Sequence, residues 1–267
     1  VSYELLADMG WTADSIDLDS WLPVYCKARY GGCPAAMDSA WQRFRETAYS
    51  SLYSYPRFTW QTVVPDTRRI SKLDVSDSFL QGVELFLSCA DSLESSSLYV
   101  NDAIEYASYY LAAKADDCYK RALKEDSLGN RVAAMQQLGR SVEILLDVDK
   151  LLASHPLYRL EEWVDMARDW GKTDLEKDAY EANAKRLITT WGGFQEDYAA
   201  RFWSGLIKDY YIPRMKLYFS EQRADLNRWE ENWIKAPWHN TSTSFEDPLQ
   251  SAIKLVERYK AKGSLSD

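Results

Sequence analysis

Apolar residues return every three or four positions through most of this 267-residue chain, and no alternating run long enough for a strand interrupts them. Phe79, Leu80, Val83 and Leu87 keep that interval, as do Met135, Leu138, Val142, Leu145 and Leu152. Side chains three or four apart share one face of a helix, so such a chain buries its apolar surface by packing helices on one another. The expected fold class is all-α, an irregular bundle of roughly eight to ten helices. No repeat of roughly 30 to 45 residues divides it.

Glycine, proline and capping residues punctuate the pattern. Glu4 to Met9 reads as the end of a helix stopped by Gly10, and Asp17 caps a second whose Trp21, Leu22, Tyr25 and Arg29 precede Gly31-Gly32. Pro34 opens a third, with Met37, Ala40, Trp41, Phe44, Ala48 and Leu52 as its apolar stripe. Tyr55 to Lys72 holds two prolines and no sustained period, which predicts a long irregular segment, either a functional loop or a cover over another surface. Helices over Asn101–Lys124 and Arg131–Ala153 flank Gly129-Asn130 and should form an antiparallel hairpin. A shorter helix over Leu160–Trp170 follows the break at His155-Pro156, and Thr173-x-x-Glu176 is a capping box opening a helix that reaches Trp191. Beyond it the pattern predicts helix from Asp197 to Tyr211, a kink at Pro213, helix again over Arg214–Ile234, a loop over Pro237–Asp247 and a last helix from Pro248.

Composition narrows the function classes. At 46% hydrophobic content the chain can bury a sizeable core, and residues 1–267 are read as one domain. A net charge of −9 gives no general attraction for nucleic acid or anionic membranes, and no run of about 18 apolar residues is present to insert into one. The N-terminus lacks the order of a signal peptide, and Val1 reads as an interior position of a longer protein. Cys26, Cys33, Cys89 and Cys118 show no CxxC spacing, and His155 and His239 show no metal spacing, so neither a metal nor a cofactor is expected. Cys26 and Cys33 can pair in an oxidising compartment, whereas free buried thiols suit a chain of this size. The 11 Trp and 18 Tyr exceed ordinary packing needs, and such rings are common where a surface meets a glycan or another domain.

The richest stretch is Tyr180 to Phe219. Tyr180, Asn183, Leu187 and Trp191 share one helix face, Gly192-Gly193 can end that helix, and Asp197 can cap the next or bond within the turn. Trp191 and Tyr198 then flank one corner. An indole face beside a phenol suits a sugar ring, which stacks its C–H face on aromatics and needs polar partners for its hydroxyls. A helix corner with both rings in the core accounts for the same spacing. Glu196-Asp197 is the acidic pair nearest the corner, but neighbours on a helix do not face one another, so it is a poor acid/base pair.

WGGFQEDYA at Trp191–Ala199, followed by Gly205-Leu206 and YYIPR at Tyr210–Arg214, resembles the C-terminal helical region of glycoside hydrolase family 89, the α-N-acetylglucosaminidases. ELLADMGW at Glu4–Trp11, followed by DLDSWLPVYCKARYG at Asp17–Gly31, resembles the start of the same region, so the likeness covers nearly the whole chain. It implies a C-terminal all-α domain packed on an upstream (β/α) barrel of the same polypeptide, with residues 1–10 fitting the end of the barrel's last helix. It implies retaining hydrolysis of glycans with terminal α-linked N-acetylglucosamine in a secreted, periplasmic or lysosomal enzyme. Both catalytic glutamates would lie upstream, leaving no catalytic residue here. Trp191 and Tyr198 match the family residues that reach into the sugar pocket, and Asn183 and Asp197 are placed as supporting residues. Tyr210, Tyr211, Pro213 and Arg214 match as residues shaping the kinked helix. The stretch holding Phe194 and Gln195 is shorter than in the animal enzyme, so no contact is assigned to either. The barrel should cover an apolar patch, with Tyr55–Lys72 the candidate for part of it. The competing class is a non-catalytic helical glycan-binding protein, which lacks support from a tetratricopeptide period or a lipoprotein cysteine.

Overall fold

The computed structural model describes residues 1–49, 58–62, 77–191, 197–221 and 223–261. Among them are twelve α-helices and no strand, a slight excess over the expected number. Contacts group them into two compact units, one within residues 1–51 and 74–103 and the other within 52–73 and 104–267.

The first unit holds α1 (Ser2–Trp11), α2 (Leu18–Tyr30), α3 (Ala35–Glu46), α4 (Asp77–Leu87), α5 (Ala90–Leu93) and the start of α6 (Ser97–Ser127). Helix α1 runs through Gly10 to Trp11 and is not stopped there, since a glycine ends a helix only when it takes a left-handed conformation. Gly31 does take one, at φ +84°, and its N–H reaches the Lys27 carbonyl to close α2. Asp17 caps α2 through the Asp19 amide. Helix α3 ends at Glu46, short of Ala48, while Leu52 lies outside the described residues. Helices α3 and α4 approach so closely that a Cβ on Gly82 would sit 2.9 Å from the Phe44 ring. Tyr30, Phe86 and Tyr99 form a ring cluster in the core, and Asp102 accepts from Arg29 and from the Tyr30 hydroxyl. Helix α1 buries none of its residues: Tyr3, Leu6, Met9 and Trp11 are all exposed.

In the second unit α6 continues from Ile104 and turns at Gly129, φ +78°, into α7 (Arg131–Leu152). The Ser141 hydroxyl donates to the Ala115 carbonyl, as expected of the hairpin. Met135 is exposed, however, because the buried face of α7 runs through Ala134, Leu138, Ser141 and Leu145 instead. Then come α8 (Leu160–Arg168), α9 (Asp174–Leu187), a π-helical turn at Ile207–Tyr211, α10 (Ile212–Tyr218), α11 (Leu226–Lys235) and α12 (Pro248–Ala261). Helix α9 stops four residues before Trp191, and no helix starts at Asp197, so the expected helix over Asp197–Tyr211 is mostly extended chain and turn. The π-turn follows from Pro213, which has no N–H to give: the ladder widens just before it, and Ile212 N–H bonds Ile207 O. The expected continuous helix after Arg214 breaks between α10 and α11.

The expectation for Tyr55–Lys72 as part of a covered surface is overturned where the segment is described. Thr59–Gln61 forms a 3₁₀ turn, and Phe58 and Trp60 are fully buried in the second unit. Their rings stack at 5.3 Å and meet Phe202. Asp116 on α6 accepts from the Thr59 and Trp60 amides, the latter at 3.3 Å, and from the Thr59 hydroxyl. A single 3₁₀ turn is too short to write a period into the sequence, which is why its inward rings were not legible. Trp60→Ala should therefore cost about 3 to 5 kcal/mol in a urea melt; a loss below about 1 kcal/mol would mean the ring is not in the core.

Candidate functional site

Helix α9 is laid with its polar side inward. Its N-terminus carries the expected capping box, Glu176 N to Thr173 Oγ1 and Thr173 N to Glu176 Oε2. Glu181, Ala184 and Lys185 are buried, as is Ile188 just past the helix, whereas Tyr180 and Asn183 are exposed and Leu187 is half-buried. The buried charges are matched: Lys185 Nζ lies 2.9 Å from Glu181 Oε1, and the other Glu181 oxygen accepts from Arg168 at 2.6 Å. Lys185 also donates to the carbonyls of Trp233 and Ala236. Burial lowers the Lys185 pKa, and Glu181 opposes that shift. The face shared by Tyr180, Asn183 and Leu187 thus points to solvent.

Trp191 and Tyr198 follow the end of α9, beyond its last turn. Trp191 is 37% and Tyr198 59% exposed, so the packed-core account of the corner does not describe either ring. Their centroids are 5.6 Å apart with planes at 72°, an edge-to-face pair that leaves ring surface open. The backbone takes the left-handed conformation at both Trp191, φ 51°, and Asp197, φ 59°. Such angles are uncommon outside glycine and persist where surrounding contacts impose them. Trp191 N–H bonds Arg186 O, and Asp197 N–H returns to Thr189 O at 3.1 Å, closing the corner on itself. Gly192, Gly193, Phe194, Gln195 and Glu196 lie outside the described residues.

The contact that holds Asp197 comes from α10. Arg214, fully buried, donates from Nη1 to Asp197 Oδ1 at 2.9 Å, to Glu230 Oε1 at 3.1 Å and to the Tyr210 hydroxyl at 3.2 Å. Its Nη2 donates to the Gln61 carbonyl at 2.6 Å, and Tyr210 donates to Glu230 at 2.7 Å. Burial by itself would lower the Arg214 pKa; Asp197, Tyr210 and Glu230 instead raise it well above its ordinary value. Asp197 is therefore neither a helix cap nor an available acid, but the ionic anchor of the residue next to Tyr198. Residue types and spacing imply a supporting role for Asp197 and a place in the kinked helix for Arg214, but nothing local in the sequence pairs the two or marks Glu230 and Gln61.

The corner offers two part-exposed aromatic rings, and α9 before it exposes the Tyr180 phenol and the Asn183 amide, groups suited to binding and not to acid/base chemistry. His155 is buried and accepts from the Leu157 amide, and among the described residues no cluster of histidine, cysteine, aspartate and glutamate has the grouping of a metal site. The cysteines are thiols, with Cys26 and Cys89 buried. No helix among the described residues is long and apolar enough to cross a membrane.

Residues 21–265 match the family described as the alpha-N-acetylglucosaminidase (NAGLU) C-terminal domain. Human alpha-N-acetylglucosaminidase is 28% identical over 235 residues, 82% of this chain and 30% of that protein. A family 89 glycoside hydrolase from Clostridium perfringens, solved with 2-acetamido-1,2-dideoxynojirimycin, superposes with a TM-score of 0.84 at 26% identity over 98% of this chain and 34% of its own. The same hydrolase solved with PUGNAc gives 0.82 at 27%, over 96% and 33%. A variant of it was solved with its substrate, GlcNAc-alpha-1,4-galactose. The chain thus spans about a third of the length of these relatives.

Removing the cation at the corner should be far worse than removing one carboxylate. Arg214→Met leaves Asp197 and Glu230 buried without it and should cost about 3 to 5 kcal/mol. Glu230→Gln leaves Arg214 matched by Asp197 and should cost about 1 kcal/mol. Equal losses in urea melts of the two variants would contradict the pairing described.

Proposed function

Because the chain belongs to the family of α-N-acetylglucosaminidase C-terminal domains, we propose that residues 1–267 act as one all-α domain of a retaining α-N-acetylglucosaminidase, completing the sugar pocket of an upstream (β/α) barrel. The enzyme is proposed to work in a secreted, periplasmic or lysosomal setting and to release terminal α-linked N-acetylglucosamine from glycans. The observation that carries this is the corner: two aromatic rings are open to solvent on a backbone held by a buried ion pair, at the positions where the resemblance implies sugar contact.

A terminal pyranose would stack on the Trp191 indole while the Tyr198 hydroxyl bonds one of its oxygens. Pre-setting both rings lowers the entropy lost on binding, which is the benefit of holding Asp197 with Arg214 before substrate arrives. General acid and nucleophile would come from the barrel, which requires two carboxyl groups about 5 to 5.5 Å apart for retention. Support for a barrel-facing surface comes from two places described separately: the outward face of α9, and α1, whose Tyr3 and Trp11 are 88% and 93% exposed. Exposed apolar side chains of that density on a short helix fit a surface covered by another domain.

In the full-length enzyme, Trp191→Ala should lower kcat/KM about ten- to hundredfold, the equivalent of about 1.5 to 3 kcal/mol of lost ring contact. The urea midpoint should barely move, since the ring is part-exposed. Tyr198→Phe keeps the ring and should cost about 0.5 to 1.5 kcal/mol of transition-state binding. Normal kcat/KM in folded Trp191→Ala enzyme would sink the pocket assignment. The 267-residue chain alone should release no aryl leaving group from an aryl α-N-acetylglucosaminide; turnover by it would place a catalytic pair within this chain.

A further inference from the structure

Extended segments 158–160 and 203–205 of the second unit meet in a single parallel bridge, with Ser204 N–H donating to Tyr158 O at 2.8 Å and Leu160 N–H to Ser204 O at 3.0 Å. The loop after α11 folds over this bridge. Trp238 packs on Gly205 so tightly that a Cβ there would lie 2.7 Å from the indole, and Gly205 itself sits at φ +83°. Trp238 is fixed from two further sides, its backbone N–H donating to Glu181 Oε1 and its Nε1 to Asp209 Oδ2. Between bridge and loop is a cleft of about 190 Å³ whose walls include Arg159, Glu161, Ser204, Trp238, Asn240 and Ser242.

The polar groups of the cleft are only partly used. Buried Asp149 accepts from the Ser242 hydroxyl at 2.6 Å and from the Gly205 amide at 2.7 Å, which spends the serine proton and leaves that oxygen free to accept. Asn240 accepts from Ser242 N–H and donates to Glu161 at 3.1 Å, so one amide hydrogen of two is left over. Arg159 donates from Nη2 to Glu162, but its buried Nε has no hydrogen-bond partner among the described residues. That nitrogen is buried away from the cleft surface, so the groups the cleft offers a ligand are the Ser242 oxygen and the spare Asn240 amide hydrogen beside Trp238. With Arg159 balanced by Glu162 and Glu161 at the rim, the cleft does not select an anion.

Unspent donors and acceptors side by side, next to an indole wall, match a neutral ring whose hydroxyls both give and accept protons. The volume is below the roughly 300 Å³ at which pockets for drug-sized ligands begin, which limits the occupant to about one pyranose. We propose that this cleft is a binding site for a single neutral sugar residue. It shares no lining residue with the Trp191–Tyr198 corner and does not depend on the function proposed for that corner.

The test is saturation-transfer NMR on the full-length protein with methyl β-galactoside, methyl α-glucoside and N-acetylglucosamine, in wild type, Trp191→Ala and Asn240→Ala. Transfer to at least one sugar should persist in Trp191→Ala, and its affinity should fall about fivefold or more in Asn240→Ala, the loss expected for one neutral hydrogen bond. Ser244→Trp, on an exposed lining position, should abolish it by filling the cleft and serves if Asn240→Ala lowers the melting point. No transfer in Trp191→Ala protein, or transfer untouched by Asn240→Ala in folded protein and by Ser244→Trp, would overturn the proposal. A normal kcat/KM in Trp191→Ala, by contrast, would overturn only the function proposed for the corner.

Discussion

One guanidinium organises the candidate site. Arg214 joins a 3₁₀ turn at Gln61, the corner at Asp197, α11 at Glu230 and its own helix at Tyr210. A buried arginine with two carboxylates would be a poor trade against a hydrophobic core if stability were the only use, because desolvating three charges offsets most of their attraction. What the cluster supplies is position: it holds a left-handed residue in place beside a ring that stays in solvent.

The same device recurs at several places where the described chain of the second unit leaves the helix. Connecting segments carry backbone N–H and C=O groups with no helical partner, and buried ones must be satisfied by something. Asp116 on α6 takes the amides of residues 59 and 60; Asp149 on α7 takes those of 205 and 208; Glu181 on α9 takes that of 238. Lys185 answers from the other sign by donating to the carbonyls of 233 and 236. Burial raises the pKa of Asp116 and of Asp149 against the pull of these hydrogen bonds. Regular helices thus supply charged side chains as clamps for irregular chain, and both the aromatic corner and the polar cleft are built of chain clamped in this way.

Helix α9 shows the cost to a reader of sequence. Its Leu175 and Tyr180 look outward and its Glu181 and Lys185 inward, the reverse of what amphipathic patterning implies for a surface helix. Conflict between local pattern and global packing is expected where a surface is kept for something other than the core.

The sequence by itself determined the helical class, the caps at Asp17 and Thr173, the turns at Gly31 and Gly129 and the hairpin of α6 and α7, because each is written in spacing or in a residue whose backbone preference is local. It also placed Trp191 and Tyr198 at one corner. Only the tertiary structure decided that both rings face solvent, that Phe58 and Trp60 do not, that Asp197 pairs with Arg214 seventeen positions away, and that Ser204, Trp238 and Ser242 enclose a cleft. Those facts depend on which buried charge finds which unpaired backbone group across the fold, and neither period nor propensity carries information about partners distant in the chain.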